Sequence, residues 1–176
     1  MPISIRRADR ADAPALAAFA EHCFRDAFGD LNTPGNMDRY VATAFSPALQ
    51  AAELEDGTVT TLLALDEHGA MAGYAQLFDP SPPPFAHPTP PAEVRRFYVD
   101  RAHHGRGVAQ QLMLAVFEAA GTLGRSALWL QVWERNFRGR AFYEKLGFVE
   151  VGERDFILGD EVQTDRVLVL DFRLPA

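Results

Sequence analysis

The chain has 176 residues, a formal net charge of −7 and 48% hydrophobic residues, a composition typical of one globular domain. The acidic balance disfavours nucleic acid as the main partner, because duplex binding requires a basic surface. Cys23 is the single cysteine, which excludes an intrachain disulfide and a cysteine-cluster metal site. The N-terminus lacks the apolar core of a secretory signal, and no stretch approaches the ~18 apolar residues of a membrane span. We therefore expect one cytoplasmic domain over residues 1–176.

The first half of the chain predicts a strand, three helices and a β-hairpin. In chain order these elements lie at residues 3–7, 9–28, 34–45, 46 onwards, 58–66 and 71–78. Asp9 or Asp12 caps the first helix, and Pro14 lies in its first turn, where the missing N–H costs little. The hairpin follows from two β-rich runs separated by Glu-His-Gly-Ala.

A proline-rich segment, residues 79–91, follows the hairpin. Proline cannot donate to a sheet ladder, so we predict an exposed, extended loop between two neighbouring antiparallel strands. A linker between two domains is the alternative, but too few residues precede the segment for two separate cores. A role as a ligand for a proline-binding partner also stays open.

The second half predicts strands and helices in alternation. In chain order these are a strand, a helix, a strand, a helix and two strands, at residues 93–99, 105–120, 127–132, 136–146, 148–151 and 166–172. The third of these elements is almost entirely apolar, which indicates burial on both faces of a sheet. Gly147 is placed to cap the second helix in the left-handed conformation. The predicted class is α+β, with β-loop-α-β as its middle unit.

One run, residues 95–109, is rich in arginine and ends in two glycines ahead of a predicted helix. Helix N-termini bind phosphate through their unpaired N–H groups, and Gly105 and Gly107 let an anion approach the backbone. Arg101 and Arg106 would add charge-assisted hydrogen bonds. We predict a phosphate or pyrophosphate cradle at this turn. A solvated loop that uses glycine only for turning is the alternative.

Two motifs resemble the signatures of the GNAT acetyltransferase superfamily. Residues 104–109, His-Gly-Arg-Gly-Val-Ala, are similar to its Gln/Arg-x-x-Gly-x-Gly/Ala motif, except that His104 replaces Gln or Arg. Residues 136–148 resemble its second signature, an Asn followed by Phe-Tyr and Gly-Phe. The resemblance implies the GNAT fold, a mixed and mostly antiparallel twisted sheet. In that fold helices cover both faces, and the two central parallel strands splay apart.

The resemblance also implies acetyl-CoA as the donor, with no metal. Its pantetheine would lie along Phe97, Tyr98 and Val99, where backbone groups pair with its amides as in strand addition. The other cofactor-contacting positions that it implies are His104, Gly105, Arg106, Gly107, Val108, Ala109, Gln110, Asn136 and Lys145. A helix N-cap is the alternative role for Asn136, and a helix-end cation is that for Lys145.

Two catalytic residues are predicted for acetyl transfer to an amine. Tyr143 matches the tyrosine that often protonates the departing thiolate in this superfamily, with packing beside Phe142 as the alternative. Deprotonating a primary amine at pH 7 costs about 4–5 kcal/mol, against about 2 kcal/mol for releasing a thiolate. Glu93 is the predicted base, directly or through water, because it lies on the strand beside the thioester. A solvent-facing carboxylate is the alternative.

Among GNAT proteins the chain most resembles the bacterial PaiA-type spermidine/spermine N-acetyltransferases, through residues 24–37, 132–136 and 158–165. This likeness implies a small-molecule amine, a polyamine, as acceptor. The carboxylates expected to attract a polycation are Asp26, Asp30, Asp38 and Glu134. Another small amine, a protein N-terminus, and a CoA-binding sensor without turnover are the alternatives. Nucleic acid and membrane partners are not expected, and a homodimer stays open.

Overall fold

A seven-stranded mixed sheet organises residues 2–172, the part of the chain that the computed structural model describes. Its strands are β1 (Ser4–Arg7), β2 (Val59–Leu65), β3 (Met71–Phe78), β4 (Ala92–Val99), β5 (Ala127–Trp133), β6 (Val149–Leu158) and β7 (Glu161–Asp171). Their order in the sheet is β1-β2-β3-β4-β5-β7-β6. The predicted domain, 1–176, includes Met1 and residues 173–176, which lie outside the described residues.

Helices cover both faces of this sheet, as predicted. They are α1 (Ala13–Phe28), α2 (Pro34–Ala44), α3 (Pro47–Glu55), α4 (Val108–Thr122) and α5 (Phe137–Lys145). Alternate residues of β2 separate two cores: Leu62 packs with Leu112 of α4, whereas Leu63 packs with Leu16 of α1. No helix within the described residues combines the length and the apolar character that a bilayer crossing requires.

The parallel pair β4–β5 separates soon after it forms. These strands pair only at Ala92 with Leu128 and at Glu93 with Trp129, whereas β4 continues its antiparallel ladder with β3 as far as Val99. A register shift leaves Arg95 as a bulged residue, and bulges bend the strand that carries them. The predicted splay is therefore confirmed. Beyond Glu93, one edge of β4 has no pairing with β5.

Helix α4 begins three residues later than predicted. The sequence analysis started it at Gly105, but Gly105 and Gly107 have φ of +74° and +81°. Right-handed helices require negative φ, so the helix cannot begin before Val108. The two glycines instead form the turn that leads from β4 into the helix.

The last two strands are much longer than predicted. The predicted strands ended at Val151 and began at Arg166, whereas β6 continues to Leu158 and β7 starts at Glu161. Most of β6 is exposed, and its middle residues 153–155 are all charged, so its sequence lacks the sustained apolar alternation by which a strand is recognised. Its ladder with β7 and the tight turn at Gly159 hold it extended.

The proline-rich loop joins the antiparallel neighbours β3 and β4, as predicted. It is less exposed than expected, because it packs on the sheet. The Ser81 carbonyl accepts a hydrogen bond from Trp129 Nε1 at 3.0 Å, and the Phe85 ring lies edge-on to Trp129. Trp129, Val167 and Val169 form a small core with Phe85. The loop thus shields this small core from solvent.

A buried ion pair fastens α3 to the sheet. Arg96 of β4 donates through Nη1 to Glu53 at 2.5 Å and to Gln76 at 2.6 Å, and through Nη2 to the Ala44 carbonyl at 3.2 Å. The two charged side chains are mostly buried. Because charges taken out of water need compensating partners, each depends on the other.

We expect Glu53→Gln to lower the free energy of unfolding by about 3 kcal/mol, because it leaves Arg96 buried without a counter-charge. Glu55→Gln is the matched control, since Glu55 pairs with Arg10 at the surface and should matter by less than about 0.5 kcal/mol. Urea unfolding of both variants measures the difference. Equal stabilities would contradict the role assigned to the pair.

Candidate active site

Two cavities meet where β4 and β5 separate. The first, here called the cradle cavity, has about 560 Å³ and lies between the end of β4, the turn at 103–107 and the first residues of α4 and α5. The second, here called the inner pocket, has about 300 Å³ and lies between β4, β5, β7, α1 and α2. Five residues line both: Phe28, Phe97, Tyr98, Asn136 and Tyr143.

The turn before α4 has the properties of an anion cradle. The first bond of the helix runs from Gln111 N to Gly107 O at 3.1 Å, so the N–H groups of residues 108–110 have no acceptor within the helix. A Cβ at Gly105 would meet nothing within 4 Å, and one at Gly107 would meet only the end of the Gln111 side chain. The space beside these N–H groups is therefore open to an anion such as a diphosphate.

The His104 side chain connects this turn to the end of β4 and to α5. Its Nε2 lies 2.9 Å from the Val99 carbonyl, and its Nδ1 contacts the guanidinium of Arg138. If Nε2–H donates to the carbonyl, Nδ1 accepts from Arg138, which is the arrangement of a neutral imidazole. The sequence analysis missed Arg138, which lines the cradle cavity from α5. It places a guanidinium beside His104, the position at which the family motif has Gln or Arg.

Ten of the twelve predicted cofactor residues line the cradle cavity. The two others are Arg106 and Lys145. Lys145 is exposed in the last turn of α5, which is the position expected for its alternative role as a cation at the helix end. For all twelve, contact with a cofactor stays a prediction.

Asn136 caps α5, which confirms its alternative role. Its Oδ1 accepts a hydrogen bond from Gly139 N at 2.9 Å. A Cβ at position 139 would lie 2.7 Å from Asn136 Nδ2, closer than real contacts allow, so the glycine lets the capping side chain close over the helix. Asn136 also lines both cavities, and the two roles are compatible.

Tyr143 is buried at the junction of the cavities, with 8% of its surface exposed. The rings of Phe97, Phe142 and Phe148 lie against it, with centroids 5.4–6.3 Å away. Burial raises the pKa of Tyr143, which keeps the phenol protonated at physiological pH. Within residues 2–172 its hydroxyl makes no hydrogen bond. The hydroxyl hydrogen is therefore not engaged by another group of the described chain and is available for donation.

Glu93 lines the inner pocket but is not solvent-facing. Only 5% of its surface is exposed, and its Oε2 accepts from Ser81 Oγ at 2.5 Å and from Arg95 Nη2 at 2.8 Å. All of these bonds end on Oε2, and within residues 2–172 none is made to Oε1. The role of base stays a prediction.

Asp165 of β7 is a second buried carboxylate in the inner pocket, with 8% of its surface exposed. Burial raises the pKa of Asp165 to about 6. The sequence analysis included it only within the segment 158–165. A single Asp in a charged strand carries no catalytic motif, so the sequence holds no signal for its burial.

The carboxylates predicted to attract a polycation do not surround the inner pocket. Asp38 pairs with Arg25 at 2.9 Å, and Glu134 pairs with Arg166 at 3.0 Å. Asp26 lines the cradle cavity instead, and neither Asp30, Asp38 nor Glu134 lines either cavity. None of these four carboxylates therefore lines the inner pocket, and the attraction of a polycation by them stays a prediction.

Two of the three segments that carry the PaiA-like resemblance, residues 24–37 and 158–165, contact each other. Gln163 Nε2 donates to Asn32 Oδ1 at 2.5 Å, and the backbone N–H of Asp160 donates to Asn36 Oδ1 at 3.2 Å. The turn between β6 and β7 therefore docks on the start of α2. This contact closes one side of the inner pocket.

The burial of Asp165 makes stability depend on pH. Its folded pKa lies above the usual value of 3.8, so the ionised form weakens folding, and stability falls as pH rises through about 6. At pH 7.5 we expect Asp165→Asn to raise the free energy of unfolding by at most about 3 kcal/mol, so that the variant unfolds at a higher temperature than the natural chain. At pH 4.5 the difference should shrink to about 1 kcal/mol, because the folded carboxyl is protonated there while the unfolded one is already mostly ionised. Thermal unfolding at both pH values measures this, and a constant difference would contradict it.

Comparison with known proteins gives a consistent result. The Acetyltransferase (GNAT) family profile matches residues 20–148. The chain is 30% identical over 168 residues to an uncharacterized N-acetyltransferase of Lactobacillus delbrueckii subsp. lactis, covering 94% of this chain and 95% of that protein. It is 32% identical over 158 residues to an uncharacterized N-acetyltransferase of Mycobacterium tuberculosis, covering 90% and 96%.

Solved structures share the fold at lower identity. The PaiA N-acetyltransferase from Thermoplasma acidophilum, in complex with coenzyme A, superposes with a TM-score of 0.79 at 18% identity, over 98% of this chain and 100% of that one. A GCN5-related N-acetyltransferase from Rhodopseudomonas palustris gives 0.73 at 20% identity, over 98% and 99%.

Proposed function

The chain belongs to the GNAT acetyltransferase family, as an N-acetyltransferase, and from that premise we propose that it transfers the acetyl group of acetyl-CoA to a primary amine. The observation that carries this proposal is the position of Tyr143. Its side chain lines both the cradle cavity and the inner pocket, so one cavity can hold the donor and the other the acceptor. Both substrates would then meet beside one proton donor.

The cradle cavity fits the donor's diphosphate. The N–H groups at the start of α4 would hold its oxygens, with Arg138 as a nearby cation. The open edge of β4 offers peptide groups to the amides of the pantetheine arm. When bound, the donor supplies an acetyl group activated as a thioester.

Acetyl transfer requires the protein's residues to move protons and to position the amine. Transfer forms the C–N bond of the amide and breaks the C–S bond of the thioester. The amine loses a proton, to the predicted base Glu93 or to water, and the departing sulfur gains one. Tyr143, kept protonated by burial, donates the second proton. The bent β4 and the aromatic walls of the inner pocket hold the amine in place and keep bulk water away.

The sequence resemblance supports one acceptor class, a polyamine such as spermidine or spermine, and this class is to be tested against amines with a single charge. A spermidine/spermine N-acetyltransferase, SpeG from Vibrio cholerae, has the same fold, with a TM-score of 0.65 at 18% identity over 97% of this chain and 95% of that one. Such a likeness concerns the fold alone. Another small amine and a protein N-terminus are therefore tested beside the polyamines.

We expect Gly107→Glu to abolish coenzyme A binding, because the new carboxylate would meet the diphosphate and a side chain is strained at φ +81°. Gly124→Glu is the matched control, since Gly124 also has positive φ but lies beyond the other end of α4. Calorimetric titration with coenzyme A should show a loss of at least about 100-fold in affinity for the first variant only. Unchanged affinity in Gly107→Glu would contradict the cradle.

We expect Tyr143→Phe to lower kcat by about 100-fold, with little change in coenzyme A affinity, because only the proton donor is removed. Tyr74→Phe is the control: Tyr74 is buried, lines neither cavity, and its hydroxyl has no hydrogen-bond partner. Steady-state thiol release measures both variants. An unchanged kcat in Tyr143→Phe would remove Tyr143 from the mechanism.

A mixed amine panel tests the function as a whole. The protein is incubated with acetyl-CoA, spermidine, spermine, benzylamine and a short peptide with a free N-terminus, and the products are read by mass spectrometry. An acetylated amine supports the enzyme. Coenzyme A binding without any acetylated product would instead favour the sensor, and an acetylated peptide alone would select the protein N-terminus.

A further inference from the structure

The charged groups that line the inner pocket differ in whether they already have partners. Glu93 is paired with Arg95, and Arg96 is paired with Glu53. Asp165 is the exception: within residues 2–172 it forms no hydrogen bond or ion pair through its carboxylate. The pocket therefore holds one carboxylate whose charge nothing in the described chain compensates.

The groups around Asp165 do not supply that compensation. On β6 its cross-strand neighbour is Arg154, which is exposed and forms no ion pair with it. On β5 the neighbour is Trp133, which carries no charge. From α2 and β4 the pocket is lined by Tyr40 and by Arg96, whose guanidinium donates to Glu53, Gln76 and Ala44.

An isolated buried carboxylate is costly to a folded protein. Removing a charge from water is unfavourable unless a partner replaces the lost hydration. Burial raises the pKa of Asp165 to about 6, so the group is still mainly ionised at pH 7.5. Such a position is stabilised when a cation enters the pocket and pairs with it.

The walls of the inner pocket favour a cation carried on an apolar body. They include six aromatic side chains from α1, α2, the α2–α3 turn, β5 and β6: Phe24, Phe28, Tyr40, Phe45, Trp133 and Phe156. The rings of Tyr40 and Phe156 lie 5.3 Å apart between centroids. Aromatic faces attract ammonium groups, and their surface is otherwise apolar.

We propose that Asp165 binds the ammonium group of the acceptor amine, and that the inner pocket selects a compact amine with one positive charge on an apolar body. This inference rests on the proposed function, since it names the acceptor of that same site. A single uncompensated carboxylate matches a single ammonium group. The further charges of a polyamine would find no carboxylate in this pocket.

A binding experiment without acetyl-CoA tests the proposal. Benzylamine, which is cationic at pH 7.5, and benzyl alcohol, its neutral isostere, are titrated into the ¹⁵N-labelled protein, and chemical shifts give Kd. We expect benzylamine to bind at least about tenfold more tightly than the alcohol. Asp165→Asn should abolish this preference. Asp155→Asn, which removes an exposed carboxylate from the neighbouring strand β6, should preserve it.

Two results would overturn the proposal: equal binding of the two probes to the natural chain, or a preference that survives in Asp165→Asn. Thermal unfolding confirms that the variant is folded. Spermidine provides the third arm, because tighter binding of spermidine than of benzylamine to the natural chain would overturn the proposed acceptor class.

Kinetics separates this inference from the function on which it rests. In Asp165→Asn, KM for benzylamine should rise about tenfold while kcat changes less, which is the signature of lost ground-state binding. A lower kcat at unchanged KM would overturn the binding role. If no amine is acetylated although benzylamine binds through Asp165, the proposed function fails and the cation site stands.

Discussion

The separation of β4 from β5 is the constraint on which the site depends. Two paired positions, at Ala92 and Glu93, fix the strands side by side, and the bulge at Arg95 then turns β4 away. A closed sheet would bury the peptide groups of residues 94–99 in a ladder and leave no passage between its faces. Because the sheet opens here, the cradle cavity and the inner pocket communicate through residues that belong to both.

The two sides of this opening are built by different means. The cradle cavity uses backbone: two glycines with positive φ and the unpaired N–H groups of α4. The inner pocket uses side chains, drawn from α1 and α2 and from the β6–β7 hairpin that docks on α2. A backbone cradle suits a diphosphate, which every coenzyme A thioester carries, whereas a side-chain pocket changes whenever its residues change. This division suits a fold that serves many acceptors.

The helices and strands with a regular apolar period or a capping residue could be predicted from the sequence. The glycine turn before α4 could also be predicted, because it lies in a motif. The sequence did not predict most of β6, because exposed charged residues there are held by pairing with β7 and not by an apolar face. The site residues differ in the same respect: some lie in sequence motifs and others do not. Tyr143 and Gly107 stand in motifs, whereas Arg138 and Asp165 gain their positions from contacts between distant segments. The burial of Glu93 likewise depends on Ser81, a residue of a loop that was expected to be solvated.

The contact between His104 and Arg138 has a consequence for how such sequences vary. Both side chains occupy one space between the end of β4 and the start of α5. An arginine at position 104 would bring two guanidinium groups together, and like charges in contact repel. The two positions should therefore covary: relatives with arginine at the first are expected to carry a neutral or acidic residue at the second. In this chain the guanidinium of the pair stands on α5 and not in the turn before α4.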